Sequence, residues 1–140
     1  MKSFTDVSQS KKLAEILPLK SADMRFEYIL PRKSDKMLHY PIVGNPIEAL
    51  EMFNKGYTIS GSKPLSLNEY CIPCWSLAAL ISILPDSIYD NTDEYSQLEF
   101  SKKSVAYHDL NDGIKIGSLK DNLIDACVAM IDKLHEQKLL

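Results

Sequence analysis

The sequence is poor in cysteine and histidine, with three residues of each, and it contains one tryptophan and five glycines. An odd, small number of cysteines does not make a disulfide framework, which argues against a small disulfide-stapled secreted domain. The first residues lack the apolar run of a signal peptide, and no window approaches the length of a transmembrane helix. These absences predict a chain that stays in a reducing cytoplasm and does not enter a membrane.

Complete catalytic and nucleotide-binding motifs are also missing. The sequence has no G-x-G-x-x-G, no Walker lysine motif and no G-x-S-x-G. Sixteen basic residues against nineteen acidic ones give a net charge of -3, whereas a general nucleic-acid binder is usually basic. No enzyme class is therefore indicated by motif, and no cofactor is predicted.

What the chain does have is a large apolar inventory. Hydrophobic residues make up 45% of the 140 residues and charged residues 25%, which is the balance of a folded globular protein. A length of 140 residues predicts one domain over residues 1–140. Residues 1–7 are predicted to be loosely ordered.

The most apolar stretch runs from Cys71 to Pro85. Between Trp75 and Leu84 only two serines are polar. A helix here would be apolar on nearly every face, so we predict a core helix that starts near Pro73, ends before Pro85 and is buried on several sides.

The flanking elements follow from periodicity and capping residues. Helices are predicted at residues 8–17 with Ser8 or Ser10 as cap, at 45–56 with Asn45 as cap and Gly56 as stop, and at 119–137 with Ser118 as cap. Strands are predicted at residues 24–30, 37–40, 57–59, 95–100, 104–108 and 114–116, with a tight turn at 111–113. The pattern predicts an α+β fold in which a small antiparallel sheet packs against two or three helices.

The Cys71-Ile-Pro-Cys74 motif admits three interpretations. A metal site would need further ligands, and His39 and His108 are the candidates that complete a set with Cys71 and Cys74. A redox or thiol-dependent enzyme would use Cys74 as a thiolate near a helix start. The favoured interpretation is structural, with two cysteines and a proline shaping the beginning of the core helix.

Two surfaces are candidates for binding. Apolar residues beyond the core could supply a protein interface; they are Met37, Leu38, Tyr40, Ile42 and Val43. Basic residues of the first 40 positions are the candidates for nucleic-acid contact, although a solvated face is the favoured interpretation; they are Lys11, Lys12, Lys20, Arg25, Arg32, Lys33 and Lys36.

Two segments carry a family resemblance. Residues 73–85 (PCWSLAALISILP) and, after a strand region, residues 122–134 (NLIDACVAMIDKL) resemble small uncharacterised proteins of phages and prophages of gut Bacteroidetes-type bacteria. The resemblance implies a mobile-element product acting in the cytoplasm of a bacterial host cell. It transfers no catalytic residue.

The sequence thus favours a non-enzymatic accessory or protein-interaction domain, with self-association or a protein partner expected. The alternatives are a small metal- or thiol-dependent enzyme that uses Cys71 and Cys74, and a nucleic-acid-binding accessory protein.

Overall fold

The computed structural model describes residues 2–59, 61–89, 95–109 and 113–140. The chain forms two compact units. The N-terminal unit is Thr5–Ala79, and the C-terminal unit is Leu80–Leu140 together with the residues up to Phe4. The predicted α+β class is confirmed, and the antiparallel strands are divided over two small sheets. The number of independently folding domains stays a prediction.

The N-terminal unit holds a three-stranded antiparallel sheet of order β2-β1-β3. Its elements, in chain order, are α1 (Val7–Ile16), β1 (Met24–Glu27), β2 (Ile42–Val43), α2 (Pro46–Ile59), α3 (Leu67–Tyr70), β3 (Cys71–Cys74) and the start of α4 (Leu77–Ile83), with 3-10 turns at Leu19–Ser21 and Asp35–Met37.

Helix α1 confirms the helix predicted near residues 8–17, but its cap is Asp6 rather than Ser8 or Ser10. The Asp6 carboxylate accepts from the Gln9 N–H at 2.8 Å, and the Gln9 side chain accepts from the Asp6 N–H. Ser10 is instead buried. Thr5, within the segment expected to be loosely ordered, is also fully buried, and its N–H donates to the Trp75 carbonyl at 2.9 Å.

The central apolar stretch differs from the predicted helix. Cys71–Cys74 is a strand, because each of its residues pairs with a residue of β1, from Cys71 opposite Glu27 to Cys74 opposite Met24. The helix starts only at Leu77, after Asp23 accepts from the Ser76 N–H at 2.9 Å. Tertiary strand pairing overrides the local helical pattern here. The helix buries Leu80, while Ala78 and Ser82 are exposed, so it is not covered on all faces.

Helix α2 runs past its predicted stop. It begins after Asn45, whose side-chain oxygen accepts from the Ile47 N–H at 2.9 Å, and it continues through Gly56 to Ile59. The strand predicted at residues 57–59 is therefore wrong. Phe53 and Tyr57 stack four residues apart at 5.2 Å between ring centroids, a contact between side chains at helical spacing that stabilises the helix at this point.

The strand predicted at residues 37–40 is also displaced. Asp35–Met37 is a 3-10 turn, Leu38 forms an isolated bridge with Tyr28, and the regular strand is Ile42–Val43. Proline at position 41 has no N–H to donate, which interrupts the ladder between these two points.

The C-terminal unit holds a four-stranded antiparallel sheet of order β4-β5-β6-β7. Its strands are β4 (Ser87–Tyr89), β5 (Tyr95–Phe100), β6 (Ser104–Asp109) and β7 (Gly113–Leu119), followed by α5 (Leu123–Glu136). The predicted tight turn at 111–113 falls largely outside the described residues, as does the end of the acidic segment at 86–94. Helix α5 packs on β6 and β7. The fully buried residues of this packing are Val105, Tyr107, Ile124, Cys127, Met130, Ile131 and Leu134.

The start of α5 also corrects the sequence prediction. Asn122, not Ser118, caps the helix, and its side-chain oxygen accepts from the Asp125 N–H at 2.9 Å. Ser118 and Leu119 are the last residues pairing in β7, opposite Val105 and Ser104. The helix consequently begins four residues later than predicted.

Replacing Asn122 with alanine is expected to lower the free energy of unfolding by about 1 kcal/mol, since the cap hydrogen bond is lost. Ser118→Ala should change it by less than about 0.5 kcal/mol, because the buried Ser118 hydroxyl has no hydrogen-bond partner among the described residues. Urea unfolding followed by circular dichroism measures both. A larger loss for Ser118→Ala than for Asn122→Ala would contradict this capping assignment.

Candidate functional site

The two cysteines of the C-x-x-C motif lie on opposite faces of β3. Residues three positions apart on a strand point to opposite sides. Cys71 is paired with Glu27, whereas the Cys74 sulfur contacts the Thr5 hydroxyl oxygen at 3.6 Å. The structure therefore does not bring the two sulfur atoms together on one face, as a shared metal ion or a dithiol couple requires.

Burial also makes both thiols poor nucleophiles. Cys71 is 2% exposed and Cys74 is fully buried. Burial raises the pKa of Cys71 to about 12, and it raises the pKa of Cys74 despite hydrogen bonds with Thr5 and Ser10. Since the thiolate is the reactive form, this environment disfavours thiol catalysis.

The two candidate histidines lie in different units. His39 is exposed in the N-terminal unit, where its backbone N–H donates to the Glu27 carbonyl at 2.9 Å. His108 is half-buried on β6, paired with Gln97 and Ile114. Within the described ranges, no group of three or more His, Cys, Asp or Glu side chains is placed to hold a metal ion.

Three of the basic candidates are engaged with carboxylates of the same unit. Lys11 and Arg32 both form ion pairs with Asp35, and Arg25 pairs with Glu27 at 2.8 Å. Arg25 also donates to the carbonyls of Val43 and Gly44. The remaining four are exposed; they are Lys12, Lys20, Lys33 and Lys36. The seven basic side chains therefore do not form one positively charged surface, because three of them are paired with carboxylates.

Arg32 stands between two cavities of the N-terminal unit. One cavity, of about 530 Å³, is lined by Leu30, Tyr57 and Leu65 as well as by Arg32. The other, of about 590 Å³, extends from Arg32 past Tyr28 to Lys11. The Arg32 guanidinium lies over the Tyr28 ring at 3.9 Å from its centroid and donates to the Asn68 carbonyl. Its position is therefore fixed by contacts with neighbouring elements.

Asp35 receives three donors at this point. Its carboxylate accepts from Arg32 at 2.8 Å, from the Tyr28 hydroxyl at 3.0 Å, and from Lys11. These hydrogen bonds, that from Lys11 foremost, hold the pKa of Asp35 down to about 2. We call Lys11, Tyr28 and Arg32 the carboxylate cradle. It can hold one anionic group of carboxylate size by charge-assisted hydrogen bonds.

The second surface is the edge segment, which we define as residues 37–44. It runs antiparallel to β1 along its open side: the Ile29 N–H donates to Met37, His39 donates to Glu27, and Gly44 donates to the Asp23 carbonyl. Tyr40 is 91% exposed and Val43 is 80% exposed. Of the five residues predicted to form an interface, these two are exposed; Met37, Leu38 and Ile42 are half-buried.

Backbone details limit what can bind along this edge. Pro41 has no N–H to offer to an additional strand, and the carbonyls of Val43 and Gly44 already accept from Arg25. Gly44 has a φ of 130°, and a Cβ there would lie 2.7 Å from an Arg25 nitrogen, so the bend requires glycine. A partner would therefore bind this edge through contacts with its side chains, and not by adding a strand to the sheet.

The sequence pattern indicates the apolar residues of the edge segment but not the cradle. Lys11, Tyr28 and Asp35 are separated by 17 and 7 positions, and no spacing rule links them. Only the packing of α1 on β3, beside β1, brings them together.

No protein-family model matches the chain, and no curated protein or solved structure is similar enough to it to count as a match. In the part of the chain that the structure describes, none of the helices has both the length and the hydropathy needed to cross a bilayer.

Proposed function

We propose that this chain is a non-enzymatic protein-interaction domain that associates with a second copy of itself through the edge segment. The observation that supports the proposal is the pair of apolar side chains, Tyr40 and Val43, held almost fully exposed beside an ordered sheet. Tyrosine is among the residues that most often dominate binding energy at protein interfaces.

The charge pattern favours a second copy as the partner. Residues 40–47 (YPIVGNPI) carry no charge, so identical segments can approach across a two-fold axis without like-charge repulsion. Ile47, at the start of α2, adds a partly exposed apolar side chain to the same run. A phage or prophage origin stays a prediction that would place this assembly in a bacterial host cell.

The alternatives receive less support. Thiol-dependent chemistry is disfavoured because Cys71 and Cys74 are buried with raised pKa values. Nucleic-acid binding is disfavoured because carboxylates lie among the basic side chains, Asp35 beside Lys11 and Arg32 and Glu27 beside Arg25, so that these bases do not form a continuous cationic surface.

Replacing Tyr40 and Val43 together by serine is expected to weaken self-association at least about tenfold, since two exposed apolar anchors are lost. Sedimentation equilibrium over a range of protein concentrations gives the dissociation constant. Met52→Ser is the matched control, because Met52 is an equally apolar residue that is 74% exposed on α2, outside the segment. It should leave the dissociation constant unchanged.

A wild-type protein that stays monomeric at every concentration would contradict the proposal. So would a dimer that the double substitution leaves intact. Circular dichroism of each variant verifies that the fold is retained, which is expected because both side chains are at the surface.

A further inference from the structure

The carboxylate cradle holds its anion with groups that belong to different parts of the N-terminal unit. Lys11 projects from α1, and the Tyr28 ring is buried at the end of β1 with its hydroxyl directed to Asp35. Arg32 is anchored twice without Asp35, by the Tyr28 ring and by the Asn68 carbonyl. The positions of the three donors therefore do not depend on Asp35. Lys11 is placed by α1, Tyr28 by the burial of its ring, and Arg32 by its two other contacts.

Asp35, by contrast, is an exposed residue of an exposed loop. All residues from 31 to 36 are exposed, and the Asp35 side chain retains 41% of its accessible surface. Intramolecular ion pairs at such sites contribute little net stability, because water and salt screen them. An external carboxylate can therefore compete for the same donors.

The surroundings of the cradle indicate what would accompany that carboxylate. The cavity on one side of Arg32, of about 530 Å³, presents Leu30, Tyr57 and Leu65. This volume and lining suit a bulky apolar side chain next to the acidic one. Glu15 and Glu69 line the two cavities, one in each, and would repel a polyanion such as a nucleic acid.

From this arrangement we infer that Lys11, Tyr28 and Arg32 form a binding site for an acidic peptide segment of a partner protein, in which an Asp or Glu carboxylate sits beside an apolar residue. Asp35 occupies the site in the free protein as an internal substitute for that carboxylate. Binding of the peptide displaces Asp35, so the apparent affinity is lowered by the fraction of molecules in which Asp35 fills the site. The site shares no residue with the edge segment and does not depend on self-association.

The test is binding of a fluorescently labelled peptide that carries one glutamate next to one leucine among uncharged residues, measured by fluorescence anisotropy on the full chain. Asp35→Asn is expected to bind it at least about threefold more tightly than the wild type, because the internal competitor, held by exposed ion pairs that contribute little, has lost its charge. Glu51→Gln, which removes one acidic charge from an exposed position on α2, is the matched control and should bind like the wild type. Adding Lys11→Gln to Asp35→Asn should abolish the gain.

Two further probes separate this site from general attraction of anions. The same peptide with glutamine in place of its glutamate should not bind any variant measurably. An oligothymidylate of equal charge should bind Asp35→Asn and Glu51→Gln alike and weakly.

Equal affinity of wild type, Asp35→Asn and Glu51→Gln for the glutamate peptide would overturn the inference. It would also be overturned by a preference of Asp35→Asn for the oligothymidylate, which would indicate a nucleic-acid surface, or by a gain that survives Lys11→Gln. These readouts use peptide binding and not the oligomeric state, so their failure is distinguishable from failure of the self-association proposal.

Discussion

In the native protein, Cys71 and Cys127 are expected to react with Ellman's reagent at pH 8 about a thousandfold more slowly than in the urea-unfolded chain, and Cys74, whose pKa burial also raises, is expected to react more slowly as well. All three thiols, Cys71, Cys74 and Cys127, are buried. The pKa of Cys71 and the pKa of Cys127 are each raised by burial from 9.0 to about 12. Three pH units reduce the thiolate fraction about a thousandfold at any pH below 9, and burial also obstructs the reagent.

The pH dependence of the reaction has a definite sign. Burial disfavours the charged thiolate, so the folded protein gains thiolate only as the pH rises toward about 12. The rate for the folded chain should keep rising beyond pH 9, whereas the rate for the unfolded chain should level off near the ordinary cysteine pKa. Stopped-flow absorbance at several pH values gives both curves.

Ser8→Cys supplies the control, because Ser8 is exposed on α1. One thiol per chain should then react rapidly in the folded variant, which shows that the reagent and conditions report exposure. Fast reaction of a native cysteine in the folded wild type at neutral pH would contradict the buried, protonated environment. It would also favour the thiol-dependent enzyme over the non-enzymatic interaction domain.

Replacing Trp75 with alanine is expected to lower the free energy of unfolding by about 3–5 kcal/mol. The side chain is fully buried, and it is among the largest buried groups of the N-terminal unit. Its Nε1–H donates to the Ser21 hydroxyl at 3.0 Å, and its backbone N–H donates to the Thr5 hydroxyl at 3.1 Å. Because a domain is stable by only about 5–15 kcal/mol in total, the loss is a large part of that stability.

A conservative change separates packing from hydrogen bonding. Trp75→Phe keeps an aromatic ring but removes the indole donor and part of the volume, so it should cost less than half as much as Trp75→Ala. Ser21→Ala removes the acceptor of the indole N–H together with the hydroxyl's own hydrogen bond to the Pro18 carbonyl, and it should cost about 1 kcal/mol. Urea unfolding followed by far-ultraviolet circular dichroism suits all three variants, since Trp75 is the chain's one tryptophan and fluorescence is lost with it.

Equal losses for Trp75→Ala and Trp75→Phe would contradict a role in filling the core. Additive losses for Ser21→Ala and Trp75→Phe in the double variant would contradict the hydrogen bond between them, because groups in contact should show a coupling energy.

Helices and strands were predicted from the sequence where the spacing of their apolar residues matches the face that the fold buries. Helix α5 is an example: its buried residues Cys127, Met130, Ile131 and Leu134 recur at helical spacing, and the sheet beside them needs that stripe. Strand β6 is another, with Val105 and Tyr107 buried in alternation with half-buried neighbours.

Predicted boundaries of helices and strands were wrong where contact with a segment distant in sequence determines them. The sequence predicts a helix that starts near Pro73, yet β1 lies beside residues 71–74 and their backbone pairs with it. Gly56 resembles a helix stop, but the stacking of Phe53 on Tyr57, and of Phe53 on Tyr70 at 4.9 Å, favours continued helix. Ser118 resembles a helix cap, but it pairs with Val105 in the sheet.

The sequence by itself determined the α+β class, most of the helices and strands, and the apolar residues of the edge segment, because composition and local periodicity are properties of neighbouring residues. Tertiary structure alone decided that Cys71 and Cys74 face opposite ways, that Tyr40 and Val43 are the exposed apolar members of their segment, and that Lys11, Tyr28 and Arg32 converge on Asp35. Those facts depend on strand register and on which elements pack together. Pairing between segments up to about 50 residues apart along the chain cannot be recognised from the local sequence of either segment.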